Sequence, residues 1–388
     1  MKRFFSYSIL SFFLLLLPTG QASANNNDSI RLSLLTCAPG EEIYSLFGHT
    51  AIRYENSSQG IDVVFNYGLF SFNTPNFIFR FSLGETDYQL GATDYERFAA
   101  EYAFFGRSVW QQTLNLTDEE KTELIRLLQE NYRPENRVYR YNFFYDNCAT
   151  RPRDKIEESI AGKVIYPAEP QDGSLTFRDI VHQYCKGHPW ARFGIDLCIG
   201  SEADQPITQR QMMFAPFYLM DAFDGAQIKG DSIQRPLITA NELIVDATPE
   251  PDESDWMPTP LQCSLLLFIL TAAATIYGIR RRTGLWGIDL FLFGIAGIVG
   301  CVLAFLALFS QHPAVSSNFL LLVFHPGQLL FLPYIIYCVR KGKKCWYLTL
   351  NLAVLTLFIV LFPVIPQRFD FAVVPLALCL LIRSVSNL

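Results

Sequence analysis

Two residues about a hundred positions apart are the best placed in this sequence to do chemistry: His49, in Leu46-Phe47-Gly48-His49-Thr50-Ala51-Ile52-Arg53, and Cys148, in Tyr145-Asp146-Asn147-Cys148-Ala149-Thr150-Arg151. Cys148 follows a strand-like run, 138–145, and opens a helical pattern at 147–160, with Asp146 at the N-cap position and Gly162 past the end. The first turn of a helix offers unpaired N–H groups and the positive end of the dipole, which favour a thiolate. The same N–H groups, those of Cys148 and Asn147, are candidates to hold an oxyanion. His49 is the candidate base for such a thiol. Arg151, Arg153 and Lys155 run against the dipole rule. A bound phosphate would account for them, making Arg151 a substrate-side candidate. Pairing with Asp154, Glu157 and Glu158 is the simpler account.

These residues require elements to hold them. Short β-branched and aromatic runs bounded by Gly, Asn and Ser predict strands at 29–36, 50–55 and 61–67, so that His49 starts the second. A Cys–His pair calls for a polar group that fixes the imidazole tautomer. Asp62, Val64 and Asn66 share one face of the third strand, and either Asp62 or Asn66 could serve; Asn66 is preferred. Residues 94–105 read as a helix. Thr117-Asp118-Glu119-Glu120 is a capping-box start for another helix, ending near Tyr132. Residues 70–81 are dense in Phe, which fits core beneath a loop or a wall facing lipid or an acyl chain.

The sequence has 388 residues and a net charge of −6, which averages two unlike halves. Residues 25–260 carry 20 Lys and Arg against 35 Asp and Glu, a net of −15, while 261–388 carry a net of +7. An acidic domain of this kind makes a poor nucleic-acid binder. Lys2-Arg3, the apolar run 9–17 and Ala22-Ser23-Ala24 predict a signal peptide over 1–24. An exported domain over 25–247 follows, then a Pro- and acid-rich linker at 248–260. In an oxidising compartment, Cys185 and Cys198 are the expected disulfide, leaving Cys148 free. His182, Cys185, His188 and Cys198 have a zinc-like look, but Cys185 has that competing partner, and neither metal nor cofactor is expected.

Five apolar stretches follow, at 261–279, 285–309, 319–338, 346–365 and 371–382, the last of them short for a span. Arg280-Arg281-Arg282 and Arg340-Lys341-Gly342-Lys343-Lys344 lie after the first and third. With an exported amino terminus, five spans put both on the cytoplasmic side, as the positive-inside rule asks. His325-Pro326-Gly327 interrupts the third stretch, and His312 lies in the outward loop before it. An ionisable group and helix breakers inside a span mark either a kink or a functional cavity.

The order His then Cys around Phe47-Gly48-His49-Thr50 and Asn147-Cys148 resembles the circularly permuted branch of the NlpC/P60 thiol-enzyme superfamily, which includes lecithin:retinol acyltransferase-like proteins. More specifically, the chain resembles the Lnb-type bacterial lipoprotein N-acyltransferases through Leu34-Leu35-Thr36-Cys37-Ala38-Pro39-Gly40, the His49 and Cys148 motifs, and Phe65-Asn66-Tyr67-Gly68. The resemblance implies an α+β exported domain of permuted papain-like fold on an all-α membrane domain of about five helices. It also implies acyl transfer through a Cys148 thioester. The donor would be a membrane phospholipid or a diacylglyceryl lipoprotein, the acceptor the amino-terminal amine of a lipoprotein, and the setting the outer face of the bacterial inner membrane. A cell-wall cysteine peptidase of the same fold and a non-enzymatic membrane receptor or scaffold are the rival readings.

Overall fold

The structure, a computed structural model, describes residues 29–73, 75–168, 175–230, 234–247 and 257–388. The expected signal peptide and most of the expected linker lie outside them.

The N-terminal domain is built on a seven-stranded antiparallel sheet, in the order β10-β5-β1-β2-β3-β4-β6. Its strands are β1 (Ile30–Cys37), β2 (His49–Asn56), β3 (Ile61–Leu69), β4 (Asp87–Asp94), β5 (Val109–Leu114), β6 (Val138–Arg140) and β10 (Ile238–Val245). Helices α1 (Phe77–Leu83), α2 (Tyr95–Phe104), α3 (Asp118–Tyr132) and α4 (Thr150–Ser159) come from its connections. Later come α5 (Phe177–Tyr184), α6 (Pro189–Cys198), α7 (Gln209–Met212), α8 (Pro216–Asp224) and a small sheet of β7 (Lys163–Ile165), β8 (Gln227–Lys229) and β9 (Gln234–Pro236). Period-two alternation gives the sheet two apolar faces. Leu32, Leu34, Ile52, Phe65 and Tyr67 pack with Leu124, Ile156 and Phe223 of α3, α4 and α8. Leu35, Cys37, Ala51 and Val64 pack with Phe98 of α2. The expected capping box of α3 is present, with Thr117 and Glu120 satisfying each other's backbone N–H groups.

Three local expectations change. The run before Cys148 forms only the short β6, because residues 142–146 close into a turn bridged between Asn142 and Asp146. The helix starts at Thr150 rather than 147, and Asn147, not Asp146, closes the turn ahead of it: its Oδ1 accepts the N–H groups of Ala149 and Thr150 at 2.9 and 3.0 Å. Cys185 and Cys198 are free thiols, as is every described cysteine. His182 lies 2.9 Å from Asp196, the carboxylate that also takes the fully buried Arg178.

The C-terminal part is helical. α9 (Pro260–Arg281) and α10 (Trp286–Phe309) are long and apolar enough to cross a membrane. The third apolar stretch, interrupted at His325, carries α11 (Pro326–Leu330) and α12 (Leu332–Lys341); Phe319–Leu330 and α12 together pass the same test but are bent by 73° at Phe331. Gly297 and Gly300 of α10 make room for the break: a Cβ on Gly300 would stand 2.5 Å from the backbone of His325. α13 (Trp346–Leu361), at 16 residues, is shorter than the stretch expected at 346–365, and α14 (Val373–Ser386), at 14, falls short of the roughly twenty residues a span requires. By length and composition, two or three of the five expected spans are therefore met.

The two ends of this bundle differ. The guanidinium of Arg340 stacks over Trp286 at 5.4 Å, gathering the basic loops at one end. Loops 310–318 and 362–372 dock on the N-terminal domain at the other, where Gly200 N–H donates to Ala314 O at 2.7 Å and Arg368 pairs with Asp179 and Asp204. Near the basic end, Arg383 of α14 grips Asp289 of α10 at 2.7 and 2.9 Å and donates to Thr275 of α9, all buried. A charge in this setting persists only when paired.

Candidate active site

His49 opens β2, and the residue before it fixes where it stands. Gly48 has φ +76°, and a Cβ there would lie 2.5 Å from the carbonyl oxygen of Cys37. Only glycine turns this tightly into the strand. The β2–β3 ladder ends at the Ala51–Asn66 pair, and the β3–β4 register shifts between Asn66 and Leu69. Past that point the two strands no longer pair, and Cys148 enters the opening. Its thiol is within hydrogen-bond reach of two backbone N–H groups, its own and that of Thr50, the residue next to His49. Gly68 (φ +89°) lets it approach: a Cβ on Gly68 would stand 3.5 Å from the Cβ of Cys148.

The imidazole is oriented from β3. Its Nε2 lies 3.2 Å from Oδ1 of Asn66, whose amide also donates toward Val64 O. Donation from Nε2–H to that oxygen leaves Nδ1 unprotonated and able to take a proton. Asp62, the other candidate on this face, receives the Arg53 guanidinium at 2.8 and 2.6 Å. The structure thus brings Asn66 to His49 and gives Asp62 to Arg53.

Two other candidates are spent on the turn itself. The Asn147 amide donates to Phe143 O and Phe214 O at 2.8 and 2.9 Å, and its backbone N–H donates to Thr150 Oγ1 at 2.8 Å. The Asn147 N–H, expected as an oxyanion donor, is thus already taken, while the Thr50 N–H is turned to the thiol. Arg151 is clamped by Asp146 at 2.6 and 2.8 Å and lies over the Tyr139 ring at 3.5 Å.

Burial reverses the electrostatics expected of a helix start. It pushes the Cys148 thiol up to about 11, against the opposing pull of the two N–H groups. It pushes His49 down to about 4, outweighing the Asn66 hydrogen bond. At neutral pH the pair is thiol and neutral imidazole, suited to general-base activation at the moment of attack. Cys37, which pairs directly with His49 across β1 and β2, is fully buried, and its thiol is pushed up to about 12. A prediction follows from the thiol. Relative to a thiol with an ordinary pKa near 9, Cys148 has roughly a hundredfold less thiolate at pH 7.5. Iodoacetamide labelling of its tryptic peptide is expected to be slower by about that factor and to climb steadily with pH. Labelling as fast as a free thiol would overturn this charge state.

Sequence reasoning missed the aromatic wall of the site. Tyr139 and Tyr141 flank Gly68, and Tyr141 stacks on Tyr88 with ring centroids 4.2 Å apart. The signal was present in Tyr139-Arg140-Tyr141, two rings on one face of a strand that leads to the cysteine.

Fold and site define a membrane protein with a mixed α/β N-terminal domain, holding a thiol and an imidazole at the open end of an antiparallel sheet, on a helical membrane domain. Residues 20–182 match the family model of the Lnb N-terminal periplasmic domain, and 252–388 that of the Lnb transmembrane domain. The chain belongs to the Lnb family, with its N-terminal domain in the periplasm and its C-terminal domain in the membrane. Comparison with curated proteins and with solved structures gives no match.

Proposed function

We propose that this protein is a thiol acyltransferase of permuted papain-like, NlpC/P60-like fold that N-acylates lipoproteins at the periplasmic face of the inner membrane. The observation that carries this reading is the neutral Asn66-oriented imidazole beside Thr50, whose N–H and that of Cys148 converge on the thiol. In the first half-reaction, His49 Nδ1 takes the thiol proton as sulfur attacks an ester carbonyl of a phospholipid or diacylglyceryl lipoprotein. The Thr50 and Cys148 N–H groups hold the oxyanion. That attack forms the C–S bond; collapse restores the carbonyl and breaks the C–O bond, and the leaving alkoxide takes the proton from His49. In the second, the α-amine of the lipid-modified cysteine attacks the thioester. The C–N bond forms, the C–S bond breaks, and His49 passes the amine's proton to the departing sulfur. Both substrates lie in the bilayer, and the membrane domain holds the site beside them at high effective concentration.

The test is the intact mass of a reporter lipoprotein's amino-terminal peptide, in cells without their own N-acylation and expressing this protein. One added acyl chain is expected; an unchanged mass, with the protein present in the membrane, overturns the reading. The two carboxyl-side candidates separate in the same assay. Asn66→Ala is expected to slow acylation roughly ten- to a hundredfold by freeing the imidazole. Asp62→Ala, which releases only Arg53, should remain within a few-fold of wild type. The reverse ranking would assign the orienting role to Asp62.

A further inference from the structure

A chain held in the bilayer needs a route to the half-buried thiol of Cys148. A continuous file of aromatic rings leads away from Cys148. Tyr141, beside the thiol, stacks on Tyr88, and Tyr88 meets Phe70 at 5.0 Å. Phe70 contacts both Phe72 and Phe77, at 4.9 and 5.8 Å. Burial falls along this file: Tyr88 is 8% exposed and Phe72 64%.

The open end is α1, a helix with no buried residue and with Ile78 and Phe79 exposed by 79% and 58%. Its polar side chains are already satisfied. Arg80 turns back to Asp87 and to Glu85 O, and Ser82 donates to Ile78 O. The most exposed side chains of this short helix, Ile78, Phe79 and Phe81, are hydrocarbon, which suits lipid and wastes free energy in water.

α1 is also fixed to the bundle at a definite height. Phe79 meets Phe305 of α10 at 5.9 Å, His312 Nε2 lies 2.6 Å from Phe81 O, and Gln311 N–H donates to Leu83 O at 2.8 Å. α10 has 24 residues, roughly 36 Å of helix against a hydrocarbon core of about 30 Å. Phe305 is one turn from its periplasmic end, so α1 rests where headgroups give way to acyl chains.

We propose that α1 and the aromatic loop before it form an acyl portal seated in the outer leaflet. A phospholipid acyl chain leaves the bilayer beside α1 and lies along Phe72, Phe70 and Tyr88, bringing its ester to Cys148. This rests on the acyl-transfer reading and adds the route and the donor.

The test has two arms, both on the full chain. In the native membrane, p-benzoylphenylalanine at position 78 is illuminated and the adduct weighed. In phosphatidylethanolamine–phosphatidylglycerol proteoliposomes, Ile78→Ser/Phe79→Ser is compared with wild type for acylation of Cys148 by the lipid and for turnover of soluble p-nitrophenyl butyrate. A phospholipid adduct is expected, with lipid acylation down roughly tenfold or more and butyrate turnover unchanged. An adduct to protein alone, a lipoprotein included, overturns the portal. So does an equal loss on both substrates, which would make α1 a structural prop, or no loss on either. A wild type inert toward both substrates defeats the acyl-transfer reading instead, and the adduct then decides the portal separately.

Discussion

Cys148→Ser is expected to abolish the added acyl chain on a reporter lipoprotein, lowering the rate by roughly a thousandfold or more. The substitution changes one atom and keeps the turn, since Asn147 and Thr150 hold that turn without using the sulfur. What it removes is the nucleophile able to form and release a thioester. A serine hydroxyl is a far weaker acid than even a thiol raised to about 11, and a neutral imidazole driven down to about 4 is a feeble base for it. The protein should therefore be present in the membrane at wild-type level and inactive. An added chain with both forms would keep the substrate and exclude Cys148 as nucleophile. Cys37 is the thiol that pairs with His49 across β1 and β2, and its full burial argues against it as the nucleophile.

His49→Gln is expected to cost roughly a hundred- to ten-thousandfold, the range for losing a general base. The pH profile separates this role from mere positioning. An imidazole whose pKa is lowered to about 4 stays neutral at ordinary pH and gains a proton only as pH falls toward that value. Protonation occupies the lone pair that accepts the thiol proton. Wild-type activity should thus hold through the neutral range and be lost on acidification toward pH 4, at a constant level of folded protein. A thiolate–imidazolium pair would behave differently, with rapid alkylation at pH 7 and a basic limb set by the imidazolium. A half-maximal point near the ordinary histidine value of 6.5 would show that the ring is solvated when the enzyme works.

The same carboxamide and thiol show how much the sequence displays. Strand parity along 61–67 placed Asp62 and Asn66 on one face, and that holds. Nothing in the parity says that Arg53, from the neighbouring strand, claims Asp62 at 2.6 Å and leaves Asn66 for the imidazole. The turn into a helix at Cys148 was legible too, through the polar Asp146-Asn147 pair, although α4 begins at Thr150 and leaves Cys148 ahead of the first turn in which it was expected. Its charge state was not, because the helix-start rule counts only local dipoles. Desolvation is summed over everything packed round the thiol, and the groups that meet it at Gly68, Tyr139 and Tyr141 among them, come from separate strands and loops.

By itself the sequence determined the strands around His49, the capping box of α3, the apolar C-terminal half with its basic loops, and the two residues of the candidate Cys–His pair. Each is written in near neighbours: alternation, caps, hydropathy and charge act over a few residues. The tertiary structure alone decided which polar side chain meets the imidazole and that the Thr50 N–H turns to the thiol. It also left Cys185 and Cys198 unpaired and rested a Phe-rich helix against the outer end of α10. Those outcomes depend on which groups compete for one partner and on how much water is excluded, and both are set only when distant segments meet.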